Sequence, residues 1–194
     1  MSSPPRILAF AGSARIESYN KKLIRVAVEG AQAAGGDVTL IDLRDYPLPL
    51  MDEDLEAREG LPENARTLKA LFTAHQGLMI SCPEYNSSIT PLLKNTIDWV
   101  SRRGEGEQPL GCFEAKVAGL MSASPGALGG LRGLVVVRML LGNIRVTVLP
   151  DQVAIGNAKD AFADNGALVD PKRDASIRNL GKAVVDAVRK LNAN

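Results

Sequence analysis

Residues Ile7 to Ala11 (Ile-Leu-Ala-Phe-Ala) are apolar without a break or any alternation. A strand with one wet face alternates apolar and polar side chains, so an unbroken apolar run has both faces covered. That occurs where helices pack on both sides of a parallel sheet. Parallel neighbours must be joined by crossovers, and the chain supplies them. Lys22 to Ala34 has helical spacing through Leu23, Val26, Ala27 and Ala31, and Gly35-Gly36 ends it. Val38 to Leu43 reads as a second strand, Pro62 to Ala74 as a helix through Ala65, Leu68 and Leu71, and Gly77 to Cys82 as a third strand.

The alternation continues. Thr90-Pro91 starts a helix that runs to Arg102 or Arg103, because threonine can cap free amides and proline is tolerated at the first helical position. Lys116 to Met121 is a fourth strand, Leu128 to Leu141 a helix, and Arg145 to Leu149 a fifth strand ended by Pro150. Arg173 to Leu191 closes the chain as a helix with Leu180, Val184, Val188 and Leu191 on one face. Between these, Tyr46 to Met51 is a stiff extended stretch, Asp52 to Glu59 an acidic surface loop or short helix, and Gly104 to Gln108 a polar turn. Right-handed crossovers then predict an α/β parallel sheet covered on both sides by helices, for which we choose a flavodoxin-like three-layer sandwich, a single domain over residues 1–194 with five strands in order 2-1-3-4-5.

Composition narrows the function. With 194 residues and 45% hydrophobic content the chain can bury one sizeable core. Its 23 basic and 22 acidic residues leave a formal charge of +1 with no basic block, so nucleic acid is not an expected partner. Cys82 and Cys112 belong to no Cys-x-x-Cys or Cys/His cluster and read as reduced thiols of a cytoplasmic protein. His75, the sole histidine, sits where a helix ends and reads as a solvated cap, so no histidine metal site or triad is expected. The stretch Arg6 to Ala14 imitates a secretory signal faintly, but its apolar part is too short. No segment approaches the roughly 20 apolar residues that span a membrane.

Two strand-to-helix transitions carry chemistry. After the first strand, Ser13, Ser18 and Asn20 offer side-chain donors and Arg15 a fork of charged ones, ahead of a helix whose first amides are free. Such a loop suits a monoester phosphate. Singly, Ser18 is as well an N-cap and Asn20 a first-turn polar residue; together the functional reading is the better one. A Walker loop is excluded because no Gly-Lys-Ser/Thr follows, and Gly12 stands alone where a dinucleotide fingerprint needs three glycines. After the third strand, Pro83-Glu84-Tyr85-Asn86-Ser87 offers turn amides and an aromatic ring to a flat heterocycle; the competing reading is a proline-initiated turn with a core tyrosine. A third loop of small residues, Met121 to Gly126, extended by Gly129-Gly130, follows the fourth strand. In the 2-1-3-4-5 order the first two loops flank the point where the winding reverses, which brings them to one cleft.

These residues, Gly12-Ser13-x-Arg15-x-x-Ser18-x-Asn20, then Pro83-Glu84-Tyr85-Asn86-x-Ser88 with Leu93-Lys94-Asn95-x-Ile97-Asp98-Trp99, then Ser122-x-Ser124-x-Gly126-x-x-Gly129-Gly130-x-Arg132, resemble the NADPH-dependent FMN reductase family of quinone, chromate and azo-dye reductases. The resemblance runs from the first strand to about Pro150. It implies FMN as cofactor with NADPH or NADH as co-substrate. Ser13, Arg15, Ser18 and Asn20 would hold its phosphate, Pro83, Glu84, Tyr85, Asn86 and Ser87 would lie along the isoalloxazine, and Ser124 would approach from the third loop. It also implies homodimers or homotetramers. The chain departs from many members by carrying Thr90-Pro91 where they have Pro-Gly. On the helix that follows, Lys94, Asp98 and Arg102 share a face and predict either an ion-pair ladder or, with Trp99, a subunit contact.

With FMN bound, the cofactor carries the chemistry and no catalytic side chain or metal is required. The expected activity is hydride transfer from NAD(P)H and electron delivery, by a ping-pong mechanism, to quinones or other small acceptors such as free flavin, chromate or azo compounds. Two other classes stay open: a flavodoxin-like electron-transfer protein with no NAD(P)H oxidation, which would ordinarily be strongly acidic, and a phosphosugar- or nucleotide-binding module without redox function.

Overall fold

A computed structural model describes residues 3–104 and 106–192. In chain order its elements are β1 (Arg6–Ala11), α1 (Tyr19–Ala33), β2 (Asp37–Asp42), a 3₁₀ turn at Leu43–Asp45, α2 (Glu53–Glu59), α3 (Glu63–Ala74), β3 (Gly77–Ser81), β4 (Glu84–Tyr85), β5 (Ser88–Ile89), α4 (Pro91–Ser101), β6 (Val117–Ala123), α5 (Leu131–Asn143), β7 (Thr147–Ile155), α6 (Ala158–Ala161) and α7 (Pro171–Leu191). The main sheet is parallel throughout, in order β2-β1-β3-β6-β7. Leaving out the small antiparallel hairpin β4–β5, this is the flavodoxin-like 2-1-3-4-5 order read from the sequence.

β1 and β3 are buried along almost their whole length, as their unbroken apolar runs require. One face of the sheet packs on α1 and α7, with Leu23, Ala27, Leu180 and Val184 in the interface; the other packs on α3, α4 and α5. On that second face Phe10, Phe72 and Phe113 form an aromatic row with ring centroids 5.7 and 5.3 Å apart. α1 and α7 cross backbone to backbone at Gly30 and Gly181, where a Cβ would lie 2.3 Å from the Arg178 carbonyl oxygen or 2.1 Å from that of Ala27.

Register decides where the loops emerge. Ala11 lies opposite Ser81, and Ser81 opposite Met121, so β1, β3 and β6 reach the carboxyl edge of the sheet nearly level and release their loops side by side.

The structure corrects several expectations. β7 does not stop at Pro150 but continues to Ile155, because on an edge strand a residue lacking N–H can sit at a bulge. Arg138 holds that irregularity, donating to the Leu149 carbonyl (2.7 Å) and to Gln152 Oε1 (3.1 Å). Of the two readings offered for Asp52 to Glu59, the short helix is the one found, as Glu53–Glu59 capped by the Asp52 carboxylate. Leu191 is exposed, although Leu180, Val184 and Val188 form the buried stripe. His75 does end α3 but is buried: its Nδ1 lies 2.6 Å from the Leu71 carbonyl oxygen and its Nε2 2.8 Å from Thr39 Oγ1. The predicted turn at 104–108 contains Glu105, outside the described residues; beside it Glu107 pairs with the buried Lys69. Both cysteines are buried, and burial pushes their thiols up, away from the reactive range. Among the described residues no helix is long and apolar enough to cross a membrane.

Candidate active site

The three loops form one connected surface. Gly12, where β1 ends, donates its amide to the Ser81 carbonyl (2.9 Å), and a Cβ placed on it would lie 3.0 Å from Leu93 Cβ and 3.4 Å from Pro83 Cδ. The loop bearing Ser13 and Arg15 therefore lies directly against the one bearing Pro83 and Tyr85. The third follows through Cys82, whose amide donates to the Met121 carbonyl (2.8 Å).

A polar side chain ties each pair of loops. Thr90 Oγ1 donates to the Gly12 carbonyl (2.7 Å) and accepts the Leu93 amide (3.2 Å), joining the first loop to the second. Asn20 joins the first to the third: its Nδ2 donates to the Ala123 carbonyl (2.8 Å), while its Oδ1 accepts from the Ala123 amide (3.0 Å) and from Ser81 Oγ (2.9 Å). Glu84 joins the second to the third, one carboxylate oxygen accepting from Arg132 (2.9 Å) and the other from the Gly133 amide (3.0 Å) in the first turn of α5. Burial pushes the Glu84 pKa up, but the Gly133 amide and the Arg132 guanidinium outweigh it and hold the carboxyl below its usual range.

These bonds change the roles of two predicted ligands. Asn20 is buried and its side chain is committed to the protein, working as a strut from the start of α1 to Ser81 and Ala123 rather than a group facing out of the loop. The Glu84 carboxylate likewise caps α5 and leaves only its backbone for a ligand.

The helices that follow these three loops differ at their starts: Thr90 caps α4, Glu84 accepts the Gly133 amide in the first turn of α5, and α1 has no side-chain cap. Ser18 occupies the N-cap position of α1 and is buried, yet makes no capping bond, and no acidic residue stands in the first turn. Among the described residues the amides of Tyr19 and Asn20 meet no acceptor. Ser13 Oγ, also buried, accepts only the Arg15 amide (3.3 Å), and Arg15 reaches only the Glu17 carbonyl at 3.4 Å. Converging amides, two hydroxyls and a guanidinium with no negative partner make an anion cradle.

The segment Pro83 to Ser88 is a hairpin rather than a simple turn. Tyr85 pairs with Ser88, and the two residues between, Asn86 (φ 51°) and Ser87 (φ 65°), are both left-handed, as a two-residue hairpin turn demands. Tyr85 is 53% exposed and so is not the core tyrosine that a structural turn would supply. Ser124 holds the third loop by backbone, its amide donating to the Ile155 carbonyl (3.1 Å) and its carbonyl accepting from Ala158 (3.1 Å). Gly130 begins α5 at φ 91°, against Ser122, where any side chain would strike the Ser122 hydroxyl. Sequence reading missed the stack of Tyr19 on Phe162, 5.9 Å between centroids, which flanks the cradle; Phe162 lies in an irregular stretch with no periodicity to reveal it. On α4, Lys94 and Asp98 pair at 2.6 Å, but Arg102 turns instead to Glu56 and Glu53 of α2, and Trp99 is buried with Nε1 on the Pro49 carbonyl. The three-residue ladder therefore does not form, and the Trp99 ring packs inside its own chain. Among the described residues no group of three or more His, Cys, Asp or Glu could hold a metal ion.

The model of the NADPH-dependent FMN reductase family matches residues 5–160. The chain belongs to this family. Its similarity extends over whole relatives: it is 34% identical to an NAD(P)H-dependent FMN reductase of Pseudomonas aeruginosa across 98% of this chain and 99% of that one. It is 32% identical to a quinone reductase of Pseudomonas putida across 89% of each. In three dimensions it resembles the flavoenzyme NAD(P)H:(acceptor) oxidoreductase FerB of Paracoccus denitrificans, with a TM-score of 0.77, 25% identity, and 96% and 98% of the two chains covered. The residues of this FMN reductase family member fit the cofactor. The open end of α1 with Ser13, Arg15 and Ser18 suits the phosphate, and the hairpin with the exposed Tyr85 ring suits the flat isoalloxazine.

Proposed function

We propose that this chain, one flavodoxin-like domain, binds FMN and oxidises NAD(P)H, passing electrons to quinones or other small acceptors such as free flavin, chromate or azo compounds. The observation that carries this is the uncapped, acceptor-free start of α1 lying against the Tyr85 hairpin. Ser13, Arg15, Ser18 and the amides of Tyr19 and Asn20 bind the phosphate; Pro83 to Ser87 orient the ring through their backbone; Ser124 bounds the site on the third side. Bound FMN supplies the redox chemistry, so the protein contributes orientation and charge and needs no side-chain acid, base or nucleophile. With one face for two substrates in turn, the kinetics are ping-pong. Purified protein should show flavin absorbance and oxidise NADPH or NADH with a panel of quinones, with parallel double-reciprocal lines. A colourless protein that takes up no FMN overturns the proposal; intersecting lines overturn the ping-pong step. Flavin uptake without NAD(P)H oxidation identifies an electron carrier instead.

The assembly we infer is a dimer through α5. Leu131, Val135 and Met139 recur every four residues on its outer face and are 41%, 61% and 62% exposed, with Leu128 just before it at 53%, an apolar stripe along a helix that water would otherwise cover. We place the enzyme in the cytoplasm, where its two buried thiols stay reduced.

A further inference from the structure

The Gly12 peptide is held at both ends. Its amide is fixed by the Ser81 carbonyl at the end of β3, and its own carbonyl by the Thr90 hydroxyl. Gly12 is the last residue before the cradle: Ser13 follows it directly, and Arg15 and Ser18 lie within the next six positions. The direction in which the loop leaves the sheet is thus set by one hydroxyl on a different loop. Thr90 is itself buried, 3% exposed, with its proton given to Gly12 while its oxygen receives the Leu93 amide. The same oxygen makes both bonds, so the hydroxyl that caps α4 is also the one that donates to Gly12.

We infer that Thr90 is a positioning residue for the phosphate end of the cofactor: through the Gly12 carbonyl it holds the Ser13–Ser18 loop in the shape that receives the phosphate. This rests on the reading of that loop as an FMN phosphate cradle. It makes Thr90 selective in effect. The hairpin that carries Tyr85 has its own ties, through Glu84 to Gly133 and Arg132, which Thr90 does not touch. Loss of the hydroxyl therefore loosens the phosphate end while the ring end keeps its shape.

The test compares FMN with riboflavin, which has the same ring and no phosphate, titrated by flavin fluorescence into the full-length chain stripped of flavin. For wild type, FMN must bind more tightly than riboflavin; equal affinity refutes the cradle itself. Thr90→Val keeps the shape and removes both bonds. It should weaken FMN by about tenfold or more while riboflavin changes by less than about threefold, since a buried carbonyl left without its donor must rearrange. Thr90→Ser restores the hydroxyl and should bind both ligands as wild type does. Equal loss of both ligands in Thr90→Val, or failure of serine to restore the FMN preference, overturns the inference while leaving the cradle standing. If the valine variant does not fold, Thr90→Cys, with a weak donor and weak acceptor, should give a smaller loss confined to FMN; an equal loss for both ligands again overturns it.

Discussion

Replacing Asn20 by alanine separates a strut from a ligand. In the structure Asn20 satisfies the Ser81 hydroxyl, the Ala123 amide and the Ala123 carbonyl, and all three residues sit in the protein interior. Truncation leaves three buried polar groups without partners, each costing about 1–3 kcal/mol. Ser81 can rotate toward another acceptor, and a water can enter the space left by the amide, so the lower half of that range applies. The expected loss is about 3–6 kcal/mol of folding free energy, against a total of about 5–15 for a domain of this kind. A residue that faced the ligand and nothing else would cost within about 0.5 kcal/mol in the flavin-free protein. The assay is urea denaturation of wild-type and Asn20→Ala chains without flavin, followed by circular dichroism and fluorescence. A midpoint shift equivalent to less than about 1 kcal/mol at unchanged m-value, combined with a large loss of FMN affinity, would refute the strut and return Asn20 to the phosphate. Asn20→Asp sharpens the contrast, because it keeps the acceptor for Ser81 and the Ala123 amide but sets a carboxylate oxygen against the Ala123 carbonyl. It should be destabilised as well, and more at neutral than at acid pH.

Other perturbations follow from the same ties. Ser87→Gly should raise stability by about 0.5–1 kcal/mol in thermal or urea unfolding, since glycine occupies φ 65° without the penalty a Cβ incurs. Glu84 has a folded pKa below its ordinary 4.5, so its charge stabilises the fold above that value and the contribution is lost as pH falls through the folded pKa. Wild type should accordingly exceed Glu84→Gln by about 1 kcal/mol at neutral pH, with the two denaturation curves converging under acid. Val135→Glu with Met139→Glu should convert a dimer to monomers in sedimentation velocity while leaving the far-UV spectrum intact, because both side chains lie on the exposed face of α5.

Much of this protein was readable before any coordinates. The unbroken apolar run of β1, the helical spacing of α1 and the glycine pair after it are local signals, and they specify a doubly covered parallel strand and a crossover without help from distant residues. The element order specified a parallel doubly covered sheet, and among the doubly wound orders the flavodoxin-like 2-1-3-4-5, chosen from the sequence and found in the structure, brings the first two loops together. The family motifs could be recognised because each is contiguous in the chain. Tertiary structure alone decided what the polar residues within those motifs do. Asn20 bonds to residues 61 and 103 positions away, Glu84 to one 49 away and Thr90 to one 78 away. A side chain facing a phosphate and one facing a buried carbonyl have the same composition and the same place in a motif. The difference lies only in which backbone group the folded sheet brings within 3 Å. For the same reason β7 passed through Pro150: whether a missing N–H matters depends on whether a neighbouring strand needs it, and that is a property of the sheet's edge.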